Sequence, residues 1–133
     1  MPRKSPPSPQ PPRPTHAELA ILHILWKRGA SSVREVLDAL NATRAEPLAY
    51  TTVLRFLQIM TEKGHVSRSE GERAHIYVAA RPAGRTKRHL VGEFMDRVFH
   101  GSVRELLVEA LGSRKVSRAE LRELRKLLDE YGA

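Results

Sequence analysis

Four times in this chain a Ser or Thr is followed three residues later by Glu: Thr15–Glu18, Ser32–Glu35, Ser102–Glu105 and Ser117–Glu120. Each pair fits a capping box, in which hydroxyl and carboxylate satisfy free amides of a helix's first turn. Glycines stand where helices should stop, at Gly29, Gly64, Gly101, Gly112 and Gly132. Glycine takes the left-handed conformation that closes a helix without a Cβ penalty. Together these signals predict helices near 15–28, 32–41, 49–63, 84–100, 102–111 and 117–131. The stretch between the third and fourth reads differently. Val66-Ser67-Arg68-Ser69-Glu70 and His75-Ile76-Tyr77-Val78 alternate in polarity, with Gly71 in the turn between them, and predict a β-hairpin.

Three helices followed by a hairpin is the winged helix-turn-helix order, with helices two and three as the helix-turn-helix and the hairpin as the wing. Helical spacing turns Leu19, Leu22, Leu25 and Trp26 inward from the first helix and Val33, Val36, Leu37 and Leu40 from the second. Val53, Leu57 and Met60 complete a three-helix core. Pro47 disfavours helix at Glu46, so the third helix begins after it.

The expected fold is mainly α with a small β-hairpin wing: a winged helix-turn-helix at 15–80, then a C-terminal helical dimerisation domain at 81–133. Seven of the nine prolines fall in residues 2–14, so 1–14 is expected to be a polyproline or disordered tail. Arg3, Lys4 and Arg13 make it basic, and an arm brushing phosphates is the alternative to a plain extension.

The C-terminal helices carry three apolar stripes: Val91, Phe94, Met95 and Val98; Val103, Leu106, Leu107, Ala110 and Leu111; Leu121, Leu124, Leu128 and Tyr131. The last has the 3, 4, 3 spacing of a short heptad seam. A piece of about 50 residues buries too little surface to be comfortably stable alone. A second copy would supply the missing surface, so Val91, Phe94, Val98, Leu107, Leu111, Leu121, Leu124 and Leu128 are expected at a homodimer interface. The alternative is that the stripes fold back onto the N-terminal domain.

Lys and Arg number 23 against 15 Asp and Glu, a net charge of +8 that favours a polyanion, either nucleic acid or an anionic membrane face. No apolar run approaches the roughly 20 residues of a membrane span, and no apolar leader is visible at the N-terminus. A cytoplasmic protein without a membrane partner is therefore expected. The absence of cysteine excludes disulfides and thiolate metal sites.

The third helix concentrates the chemistry. Val53, Phe56, Leu57 and Met60 share one face, while its head presents Thr51, Thr52 and Arg55. Arginine grips guanine O6 and N7 with two donors, and a threonine methyl packs on a thymine methyl. Recognition helices read bases mainly with their N-terminal part. Thr51, Thr52 and Arg55 are accordingly the candidate base readers. The competing readings are that either threonine caps the helix and that Arg55 is a solvated charge. Tyr50, Arg34, Arg44, Arg68, Arg73 and His75 are candidate phosphate contacts, although Glu70 and Glu72 weaken the wing in that role. The basic cluster Arg85 to His89 either touches the DNA backbone or solubilises a hinge.

His16 and His23 lie two helical turns apart, too far to share an ion, and His65 and His75 are expected to face across the hairpin near Glu70 or Glu72. No metal site and no cofactor are expected. No glycine-rich phosphate loop, Ser–His–Asp order or paired-carboxylate pattern stands out, which argues against an enzyme.

The chain resembles the BlaI/MecI family, the penicillinase-repressor type of bacterial transcriptional regulator. The match is carried by "HAELAILHILWKRGASSVREVLDAL", "YTTVLRFLQIMTEKGHVSRSEGERAHIYVA", "FHGS" and "SRAELRELRKLL", and spans roughly residues 15 to 131. The resemblance implies a winged-helix domain, a helical dimerisation domain, and repression by binding a dyad-symmetric double-stranded DNA operator. A sensor protease is a further candidate partner. Copper-sensing relatives carry C-terminal cysteines, which this chain lacks. Relatives that answer β-lactams are cut at an Asn-Phe bond, and the corresponding bond here, Glu109–Ala110, matches at neither residue. Rival functions on the same scaffold are a non-specific double-stranded nucleic-acid binder and a protein-interaction adaptor.

Overall fold

The computed structural model describes residues 12–70 and 75–132. The element order is α1 (His16–Arg28), β1 (Ser31–Ser32), α2 (Val33–Asn41), α3 (Tyr50–Lys63), β2 (Val66–Glu70), β3 (His75–Ala79), α4 (Ala83–Phe99), α5 (Val103–Ser113) and α6 (Arg118–Gly132). The first two capping boxes form in full, and the last two show only their hydroxyl half. At α1 the Glu18 amide donates to the Thr15 hydroxyl at 3.2 Å, and the Thr15 amide returns to the Glu18 carboxylate at 2.8 Å. Ser32 and Glu35 repeat this at α2, with 3.2 and 3.0 Å. At α5 and α6 the Glu105 and Glu120 amides each donate to the serine hydroxyl three residues earlier, at 3.1 Å.

Gly64 closes α3 at φ 84°, ψ 14°, the left-handed conformation, and lets the chain turn at once into the wing. Gly112 does not end α5. The helix continues to Ser113, whose hydroxyl donates to the Ala110 carbonyl at 3.1 Å, and stops at extended Arg114.

The chain forms two compact units, one through Arg88 and one from His89. The first is a winged helix. Its core joins Ile21, Leu22 and Leu25 of α1, Val33, Val36 and Leu37 of α2, and Val53, Leu57 and Met60 of α3 to Val66 and Tyr77 of the sheet. Ile21 is fully buried, whereas Leu19, Trp26 and Leu40, expected inside, are only partly buried against this core. Helix α1 is apolar on most sides, so its spacing does not single out one inward face.

The sheet has three strands, not two. The order is β1-β3-β2, all antiparallel, with Ser31 opposite Tyr77 and Ser32 opposite Ile76. Two serines carry no alternating pattern, which hides β1 from a sequence reading. Tyr77 is the largest side chain buried in this unit, and Ser31 beside it is fully buried, its hydroxyl donating to the Gly29 carbonyl at 2.9 Å.

The second unit is built differently. None of the residues of α4, α5 or α6 is buried. Phe94 and Phe99 meet edge to face at 5.6 Å, but Val91, Phe94, Val98, Leu111 and Leu128 are each exposed, and Leu107, Leu121 and Leu124 are half-buried. Among the described residues, no helix is long and apolar enough to cross a membrane.

Candidate nucleic-acid interface

Helix α3 puts one face into the core, with Val53, Leu57 and Met60 fully buried. That anchoring leaves Thr51, Thr52 and Arg55 on the opposite, exposed face. With the partly buried Phe56 and Ile59 they line a shallow groove of about 400 Å³. The N-cap is Ala49, in extended conformation and without a side-chain cap. Thr51 and Thr52 therefore lie inside the helix, and the capping alternative is excluded. Among the described residues the Arg55 guanidinium has no ion-pair partner, so its donors face solvent.

What aims this head is the connection before it. The Asn41 side chain at the end of α2 clamps the main chain of Leu48 from both sides: its amide donates to the Leu48 carbonyl at 3.1 Å, and its carbonyl accepts from the Leu48 amide at 2.8 Å. This fixes the loop two residues before α3 begins. Sequence reasoning missed Asn41, because an asparagine at a helix end signals only a turn.

The predicted phosphate contacts divide. Arg34, in the first turn of α2, lies over the Tyr50 ring at 5.9 Å, so these two form one exposed cationic and aromatic pair beside the head of α3. Arg44 turns into its own loop, its Nε donating to the Glu46 carbonyl at 3.1 Å. Arg68 stands opposite Tyr77 and His75 opposite Glu70. Cross-strand partners share a face of the sheet, so exposed Arg68 leaves the wing on the side that Tyr77 packs on the helices. Arg73 lies outside the described residues.

His65 and His75 do not face one another: His75 pairs with Glu70 at one end of the hairpin, while the His65 carbonyl accepts from the Ala80 amide at 2.9 Å at the other. Among the described residues, no three His, Asp or Glu side chains gather as a metal site would require.

At the opposite end of α3 lies a polar cluster around buried Glu18 that sequence reasoning also missed. Glu18 is 2% exposed and accepts from the Lys63 ammonium with both oxygens at 3.1 Å. Burial alone would raise its carboxyl. Hydrogen bonds from the Thr15 amide, Lys63 and the Thr15 hydroxyl outweigh burial and hold it below the usual carboxylate range. His65 is 5% exposed, and among the described residues its Nε2 has no hydrogen-bond partner. Desolvation pushes this imidazole down, Lys63 and Arg81 push the same way, and Glu18 opposes them.

The charge is unevenly placed. Through Arg88 the chain holds 15 Lys and Arg against 7 Asp and Glu; from His89 it holds 8 against 8. The whole excess of +8 thus belongs to the half that carries α3 and the wing.

Comparison with known proteins identifies the family. The sequence model of the family described as Penicillinase repressor matches residues 14–130. The Penicillinase repressor of Bacillus licheniformis is 23% identical over 123 residues, covering 90% of this chain and 92% of that protein. Transcriptional regulator BlaI of Mycobacterium tuberculosis is 43% identical over 61 residues, 45% of this chain and 43% of that protein. Among solved structures, the monomeric form of Bacillus licheniformis BlaI in complex with the blaP half-operator aligns at a TM-score of 0.48 and 21% identity, covering 56% of this chain and 89% of that one. With the family match running from just before α1 into the last turn of α6, over a winged helix and its helical extension, the chain belongs to the penicillinase repressor family of DNA-binding repressors.

Proposed function

We propose that this chain represses transcription as a homodimer on a dyad-symmetric operator, each copy laying the head of α3 in the major groove of one half-site. The observation that carries this reading is that head: Thr51, Thr52 and Arg55 stand exposed on a helix whose other face is locked into the core. Arg34, Tyr50 and Arg68 contact flanking phosphates, with Arg44, Arg73 and His75 in supporting places. The α3 N-terminus itself offers free amides to a phosphate. A DNA target places the protein in the cytoplasm.

The dimer rests on the second unit. The exposed stripes of α4, α5 and α6 are apolar, net uncharged surroundings suit self-association, and pairing supplies the core that these helices lack alone.

Binding of the full chain to a duplex selected from a random library, and to a scrambled duplex, over a range of salt tests the reading. Affinity at least a thousandfold (~10³) tighter for the selected duplex is expected, within the usual specific range. Equal affinity for both would instead indicate a non-specific binder, and no binding at low salt an adaptor.

Release from DNA by a sensor protease would work differently here than in relatives cut at Asn-Phe. Glu109 and Ala110 lie within α5, and a protease reaches a helical bond only after local opening. The chain is proposed to escape cleavage at that bond. Mass spectrometry of fragments from β-lactam-treated host cells checks this; a new N-terminus at Ala110 refutes it.

A further inference from the structure

Helix α3 carries one apolar side chain that its core does not explain. Among the described residues, Phe56 packs on that core but Ile59 does not, and Ile59 is left only partly buried. Isoleucine is a middling helix former. At a position without core packing it gives the fold nothing that alanine would not give better.

A single apolar residue at a surface is ordinary. This one is grouped. Ile59 stands four residues after Arg55 and seven after Thr52, so the three share one stripe of the helix. A helical side chain leans back over the turn before it. Ile59 therefore leans toward Arg55 and Phe56, and with Thr51 and Thr52 these residues line one shallow groove. The groove changes character along its length, with two hydroxyls and a guanidinium at its head and a ring and a branched alkyl group behind them. Isoleucine is stiff at χ1, so its methyl groups are held in place.

What such a groove takes follows from the edges of the bases. In the major groove guanine shows two acceptors, cytosine a donor, and adenine an acceptor and a donor. Thymine alone adds an apolar group, its 5-methyl, beside an acceptor. An apolar peptide side chain would also suit Ile59, but it would cover the Arg55 guanidinium without offering it an acceptor. The surrounding unit, with 15 Lys and Arg against 7 Asp and Glu, favours a polyanion.

We infer that Ile59, beside Phe56, is a specificity-determining residue that reads the 5-methyl group of a thymine near the base read by Arg55. The inference rests on the base-reading role proposed for α3 and adds the identity of a second base. Four residues of helix rise about 6 Å, and base pairs stack about 3.4 Å apart. The thymine therefore lies within about two base pairs of the Arg55 position.

The experiment uses the full chain, its Ile59→Ala and Ile59→Val variants, and the duplex selected from a random library. Each thymine is replaced in turn by deoxyuridine, which loses the 5-methyl and keeps every hydrogen-bonding group. Melting curves confirm that the variants are folded. For the parent, one replacement within about two base pairs of the position whose preference Arg55→Ala relaxes should weaken binding roughly fourfold, the effect of one buried methyl group. Ile59→Ala should bind the unmodified duplex more weakly by a similar factor and no longer distinguish uracil from thymine there. Such non-additivity marks a direct contact, whereas a role confined to helix stability would weaken both duplexes equally. Ile59→Val, shorter by one carbon, should lower the uracil penalty part of the way, and decides the matter alone if Ile59→Ala does not fold.

The inference is overturned if no uracil replacement weakens the parent, if the selected duplex holds no thymine in that window, or if the folded variants keep the parent's full uracil penalty. Equal affinity of the parent for selected and scrambled duplexes refutes instead the base-reading role of α3, a separate outcome seen before any uracil is introduced.

Discussion

The two halves of this chain solve folding in opposite ways. The half through Arg88 closes its own core, with Val36, Val53, Leu57 and Met60 at 0% exposure, and carries the whole net charge. The half from His89 holds most of α4 together with α5 and α6, has no buried residue among the described ones, and has balanced charge. Secondary structure in the second half comes from local signals, the caps at Ser102 and Ser117 above all. Its tertiary stability has to come from elsewhere, because short helices are marginal in water until they bury an apolar face. The contrast teaches that capping and periodicity form helices in both halves, but only the first half also holds the volume of inward side chains that makes a core.

The largest effect that separates the halves is expected from Leu124→Asp. A charge placed in the α6 seam should abolish pairing and weaken operator binding by about a hundredfold or more, the gain that a second linked contact supplies. Sedimentation and binding isotherms check this, and the melting of the first unit should not move. Next in size, Leu57→Ala removes a fully buried side chain. It should cost that unit about 2–5 kcal/mol of stability in a denaturant titration while leaving the oligomeric state intact. If Leu57→Ala also dissociates the protein, the halves are not independent.

Arg55→Ala should lower specific affinity by about 1–3 kcal/mol and relax preference at one base position per half-site, as read by a binding profile over single-base variants. An unchanged profile would move base reading away from α3.

The smallest effect is that of pH on the first unit. The His65 pKa is lowered from its ordinary 6.5 by burial. The unfolded chain therefore takes up a proton first, so the stability from neutral His65 is full above 6.5 and declines as pH falls below it. Glu18 adds a second loss at lower pH. Its lowered carboxyl contributes stability above its ordinary 4.5 that disappears as pH falls through the folded value. Melting temperature against pH should show both steps in the parent, and His65→Gln should remove only the upper one.

Much of this was legible in the sequence because its causes are local. Capping boxes, glycine stops and helical spacing are written within a few residues of where they act. They placed the helices, the wing and the exposed head of α3 with Thr51, Thr52 and Arg55. What was not legible depends on partners distant in sequence. Ser31 becomes a strand residue only because Tyr77 lies beside it. Glu18, which reads as a cap, is also the buried half of an ion pair with partly exposed Lys63. Asn41 and Arg81 look like ordinary polar surface residues until the main chains they hold, at Leu48 and Gly64, are brought to them. Gly112 fails as a stop because a glycine permits the left-handed cap without requiring it.

The account's central claim is that the second half completes its fold only by pairing. Sedimentation equilibrium of the full chain across a concentration series tests it most directly. The account predicts a species of twice the 15.0 kDa chain mass, dissociating on dilution with loss of helical signal from the second half. A compact, stable 15.0 kDa monomer with all its helices intact would contradict it.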